Sequence, residues 1–241
     1  MSQTPGDDRT NEWFVPVFGP PRFRRLVGML FLPYTGMVLS FTVLGSMLAP
    51  LVHWDRVLAI GVIYLLALGV GAHALDAIGG RAGRPWGNAF SRRALWGLAG
   101  GSVALGYAIG IYYMVCCVPA LWPIAVAEGF FLLAYNLEWW NGRFHTDRWF
   151  AFSWGALPVL AGYVMQTNTL ATGALVLAAA AALLSLVEIR ASRPYKAIRR
   201  GRTEGVIPAE EVAGVLESLL KPLSAGVIVL GGGALIGKWL G

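Results

Sequence analysis

Residues 57–79 read Val57-Leu-Ala-Ile-Gly-Val-Ile-Tyr64-Leu-Leu-Ala-Leu-Gly-Val-Gly-Ala-His73-Ala-Leu-Asp76-Ala-Ile-Gly79. The run carries no acidic or basic side chain until its last two turns, and about 20 apolar residues suffice for an α-helix to cross a bilayer. Similar runs follow on both sides. We expect spans at 26–49, 57–79, 93–117, 120–137, 149–166, 169–189 and 222–240, so the chain reads as an all-α, polytopic transmembrane helical bundle of about seven spans. The dyad alternation of an outer-membrane barrel is not the pattern here. Composition points the same way. Of 241 residues 56% are hydrophobic and 13% charged, against about 25% charged in a soluble domain.

The formal charge of +6 is chiefly an orientation signal. All Lys and Arg residues except Arg56 and Lys238 fall on the N-terminal side of the spans, and the positive-inside rule then puts the N-terminus in the cytoplasm and the C-terminus outside. The basic residues flank apolar spans rather than forming an aromatic-interleaved patch, which argues against nucleic acid. The expected partners are the bilayer and a lipid-soluble substrate. Residues 1–21 read as a cytoplasmic tail with an interfacial segment near Trp13–Phe18, and 22–241 as one transmembrane domain. Within 194–221, the segment Pro208–Leu220 has Val212, Val215, Leu216 and Leu219 on one helical face, the mark of an amphipathic helix lying at the interface or against the bundle. Cys116 and Cys117 are adjacent and read as packing residues.

The same orientation sorts the polar residues. His73, Asp76, Glu138, His145, Asp147 and Glu188 all come to the cytoplasmic ends of their spans, and ionisable residues in a span usually face a cavity or the bundle interior. His73 and Asp76 are three apart and share a helix face. His73, Asp76, Glu138, His145 and Glu188 together are candidate metal ligands, a set that suits iron, zinc or copper. Arg81, Arg84, Arg190 and Arg193 are candidate phosphate binders, since guanidinium matches phosphate bidentately. Glu128, deep in the fourth span, is either a functional acid or a helix-packing one.

Two stretches then resemble a known family. Arg84-Pro85-Trp86-Gly87-Asn88-Ala89-Phe90-Ser91 is similar to the loop after the second span in the UbiA superfamily of intramembrane prenyltransferases. Gly155-Ala156-Leu157-Pro158-Val159-Leu160-Ala161-Gly162-Tyr163 resembles that superfamily's fifth span, and Tyr135 its aromatic before the central loop. The resemblance implies a UbiA-like bundle that acts on an isoprenoid diphosphate, by prenyl transfer or cyclisation, with Mg²⁺ held around Asp76 and Glu188. It places Arg81, Arg84, Arg190, Tyr135 and Asn136 at the substrate, and assigns catalysis to Asp76 with Glu138 and His145 positioning or deprotonating the acceptor. Two departures stand out. The second aspartate-rich motif is replaced by Glu188-Ile189-Arg190-Ala191-Ser192-Arg193-Pro194, and family members usually have about nine spans. The same residues also suit a His/carboxylate metalloenzyme acting on a lipid-soluble substrate, or a non-catalytic lipid- or quinone-binding subunit of a membrane complex.

Overall fold

The computed structural model describes residues 12–79, 90–199 and 209–240. All regular structure among them is helical. The elements are α1 (Pro21–Met29), α2 (Leu32–Met47), α3 (Trp54–Tyr64) running through π-type turns at Leu65–Ala72 into α4 (His73–Gly79), α5 (Arg92–Cys116), α6 (Trp122–Asn136), the short α7 (Trp139–Gly142), α8 (Asp147–Ala151) running through a π turn at Phe152–Ala156 into α9 (Leu157–Thr167), α10 (Thr172–Arg199) and α11 (Ala209–Leu240).

Among the described residues five stretches are long and apolar enough to cross a membrane: Pro21–Met47, Trp54–Gly79, Arg92–Cys116, Thr172–Arg199 and Ala209–Leu240. The protein is therefore a multi-pass membrane protein. The expected fourth and fifth spans are helical but are not among the five. α6, at 15 residues, is about 22 Å long at 1.5 Å per residue, less than the hydrocarbon thickness. α9 is an interior element, with Leu157, Val159, Ala161, Val164 and Met165 all buried.

Three local corrections follow. The expected first span is broken ahead of Pro33, because a proline ring clashes with the carbonyl four residues back and its nitrogen cannot donate. Phe31 takes a left-handed conformation there (φ 45°), and Thr35 Oγ1 donates to the freed Leu30 carbonyl at 2.7 Å. The expected amphipathic segment is not separate from the last span either. From Ala209 the helix continues through Pro222 to Leu240. Its first turns pair with the end of α10: Arg199 donates to Glu210 at 2.8 Å and to Glu217 at 3.4 Å. Nor is Trp13–Phe18 wholly interfacial. Phe14 and Val15 are buried in the main core, and the Trp13 amide donates to the Tyr195 hydroxyl at 2.8 Å.

The bundle is centred on α2 and α9. They approach so closely that a Cβ on Gly45 would overlap the Val159 carbonyl oxygen, and one on Gly162 would overlap the Thr42 carbonyl oxygen. Ser46 Oγ, which is in hydrogen-bond reach of the Thr42 and Gly162 carbonyls (3.0 and 3.2 Å), adds a polar tie. Small residues at such a crossing let backbones meet where lipid provides no hydrophobic drive for helix association. α11 lies over the other side of α2, with Gly231 against Ser40. At the end opposite the N-terminus, Arg56 Nη1 donates to the Met165 and Gln166 carbonyls (3.3 and 3.2 Å), favourable to the C-terminal dipole of α9.

Gly162→Ala should lower stability by about 2 kcal/mol, the scale of core overpacking, measured as thermal unfolding in detergent. Gly101→Ala, with open space at its Cβ position, should stay within about 0.5 kcal/mol of wild type.

Candidate functional site at the basic end of the bundle

The left-handed turn at Phe31 aims its ring into the bundle end that carries most of the arginines. There it stacks on Phe14 (centroids 4.6 Å apart) and on His73 (4.8 Å). His73 lies at the start of α4 and leans on Trp154 from the π turn, at 5.4 Å. Its Nε2 is 3.5 Å from Thr35 Oγ1, and because that hydroxyl already donates to Leu30, it is placed to accept from an Nε2–H. Lys196 reaches in from α10, its Nζ 4.7 Å from the Phe31 ring and 5.0 Å from the Tyr34 ring. The aromatic faces at this end thus already hold a cation, an arrangement stabilised by the ring quadrupole.

α10 supplies the other half. Glu188, Ser192 and Lys196 recur every fourth residue and so share one face. Glu188 is 3% exposed, with Ser192 and the Lys196 charge as its neighbours. A carboxylate at that burial needs a paired cation to offset its desolvation. Ser192 Oγ lies 3.3 Å from the Tyr34 hydroxyl, which ties the α10 stripe to α2. On the neighbouring α10 face, Arg193 Nε is 2.8 Å from Asp147 Oδ1, and Arg190 Nε is 4.0 Å from Oδ2.

Tyr135, at the end of α6, is buried and has Arg193, Asp76 and Glu188 in electrostatic range. Asp76, Tyr135, Glu188 and Arg193 therefore meet from three helices. Gly79 allows this approach, since a Cβ there would overlap the Asn136 carbonyl oxygen. His145 stacks on Tyr135 at 4.3 Å, and its Nδ1 is 3.0 Å from the Tyr135 carbonyl. That carbonyl can only accept, so Nδ1 carries the proton of this bond and Nε2 is left as the basic nitrogen.

Other expected site residues stand elsewhere. Asn136 is buried and its amide donates to the Leu132 carbonyl at 2.8 Å, which turns that group back on its own helix. Glu138 is in left-handed backbone (φ 51°), followed by Trp140 (49°) and Asn141 (59°). Such conformations cost on the order of 1–3 kcal/mol each and persist only where the surroundings hold them. Arg190 has 65% of its side chain exposed. Arg81 and Arg84, with the loop that resembles the prenyltransferases as far as Ala89, lie outside the described residues. Among the described residues no three His, Cys, Asp or Glu side chains form a group that could hold a metal ion.

Tyr34, Thr35, Phe31 and Lys196 were not expected at this site, whereas Trp154 is one of the span aromatics that could line an isoprenoid channel. The Glu188-Ser192-Lys196 spacing carried a signal for the lysine. The other three come from a backbone break, which leaves no periodic mark.

Comparison with known proteins adds no relative. The chain matches no family model, no curated protein and no solved structure. Its site must be judged on its own geometry.

Lys196→Met should destabilise the fold by about 3 kcal/mol, because it leaves Glu188 buried without its cation. The double variant Glu188→Leu/Lys196→Met should recover most of that loss in a double-mutant cycle of thermal unfolding.

Proposed function

We propose that the protein is a UbiA-like membrane enzyme that acts on an isoprenoid diphosphate, by prenyl transfer or cyclisation, at a cavity facing the cytoplasm. The observation that supports this most is the presence at one bundle end of two cations, Arg193 and Lys196, together with the aromatic rings of Phe31, Tyr34 and Trp154, Lys196 lying over the first two. A prenyl diphosphate offers the two charges that such a site answers: an anionic head, and a cation that develops on the allylic carbon.

In this reading the allylic C–O bond breaks heterolytically, and its electron pair leaves with the diphosphate. Arg193, oriented by Asp147, and Lys196 take up that negative charge through charge-assisted hydrogen bonds. The aromatic faces stabilise the allylic cation, as they do the Lys196 ammonium. An electron pair from a nucleophilic acceptor, or from a double bond in the same chain, forms the new carbon bond. The proton then released goes to His145 Nε2, whose partner nitrogen is held by the Tyr135 carbonyl.

Mg²⁺, which the resemblance implies, would be held by Asp76 and Glu188. Glu188 lies beside the Lys196 charge, and the described residues assemble no third ligand. The described residues do not fit that site, and the steps above run through side chains alone. The positive-inside count supports the cytoplasmic orientation.

In nanodiscs supplied with geranyl, farnesyl or geranylgeranyl diphosphate and a membrane extract as acceptor source, the protein should release pyrophosphate. Arg193→Ala should cut kcat/KM by about 10-fold or more, the scale of one hydrogen bond to a charged group. No pyrophosphate release from any of the three would overturn the proposal.

A further inference from the structure

A cavity lies between α3, α5 and α6. Its volume is about 60 Å³ with an open mouth, room for a hydroxyl and the few carbons beside it, the rest of a longer molecule lying toward the mouth. Its wall is apolar, formed by side chains such as Ile60, Ile63, Leu121 and Ile124, with Glu128 as its acidic member. Gly106 and Gly110, one turn apart on α5, keep the wall open because neither contributes a side chain. Tyr107 spans the cavity and donates to the Ala125 carbonyl at 2.7 Å, its hydroxyl filling the place a Cβ would take on Gly129.

The carboxyl of Glu128 is half satisfied. Oε1 accepts from the Tyr64 hydroxyl at 2.6 Å, whereas Oε2 is buried and has no hydrogen-bond partner. A buried polar atom left unpaired costs about 1–3 kcal/mol, and the apolar wall offers nothing to repay it. Leu68 and Leu132, both buried, line the cavity between this carboxyl and the basic-end cluster. The cavity is thus a separate site from that cluster.

We infer that this cavity binds a lipid-soluble molecule with a hydroxyl head, the hydroxyl bonded to Glu128 Oε2 and the apolar body against the wall of α3, α5 and α6. A hydroxyl can both donate and accept, so it satisfies Oε2 whether or not the carboxyl carries a proton. Anionic heads are disfavoured by the acid and by the absence of a lining Lys or Arg. The inference does not depend on the prenyl-transfer proposal.

Two photoreactive probes test it on the full-length protein in nanodiscs: a diazirine-bearing hexadecanol, and the matching diazirine-bearing hexadecane without the hydroxyl. The alcohol should label α5 and α6 peptides about fivefold more than the hydrocarbon, the scale of one net hydrogen bond. Glu128→Leu should bring the alcohol down to the hydrocarbon level, Glu128→Gln should keep the preference, and Gly110→Leu should remove labelling by both. Equal labelling of wild type by the two probes would overturn the inference, as would unchanged labelling of Gly110→Leu. The wild-type comparison decides even where a variant fails to fold.

Discussion

The closest backbone approach in the bundle, Gly45 and Gly162 each set against the other helix's carbonyl, governs the rest of the arrangement. In a membrane, helix association depends on packing and on polar ties rather than on removing apolar surface from water. A crossing this close is available only to glycine on both sides. It makes α9 an interior element, seats α2 beside it, and leaves α11 to cover α2 through Gly231 and Ser40. α2 then delivers Phe31, Tyr34 and Thr35 to the basic end, and the π turn ahead of α9 delivers Trp154 to the same place.

What that end holds follows from the cost of burial. Glu188 at 3% exposure is sustainable only with a cation beside it, and Lys196 provides one while also lying over two aromatic rings. Asp147 and Arg193 form a second pair nearer the surface. An entering anion would therefore compete with these carboxylates for Arg193 and Lys196. The cavity between α3, α5 and α6 obeys the opposite rule. It holds one acid in an apolar wall, and half of that acid's hydrogen-bonding capacity is unmet.

Much of this was legible in the sequence. The low charge content and the long apolar runs specify a multi-pass helical protein, because a bilayer requires backbone groups to be satisfied within each helix. The placement of arginines marked one end as distinct, and His73, Asp76, Tyr135, His145 and Glu188 do come to that end. Less was legible where a backbone departs from a helix. The first span read as continuous through Pro33, and the break ahead of it, with the left-handed Phe31 whose ring stacks on Phe14 and His73, was not anticipated. Asn136 looked available for a substrate, and its bond to the Leu132 carbonyl is a local choice that spacing does not reveal. The shortness of α6 was hidden because Trp122–Asn136 is apolar apart from Glu128 and Asn136, which hydropathy does not readily distinguish from a full span.

The central claim is that the basic end recognises an anionic head joined to an apolar chain. The most direct measurement is equilibrium binding of farnesyl thiolodiphosphate, which resists cleavage, to the protein in nanodiscs by titration calorimetry, with farnesol as the comparison. The account predicts saturable binding of the thiolodiphosphate that weakens as salt is raised and that farnesol does not match. Equal binding of the two, or binding indifferent to salt, would contradict it.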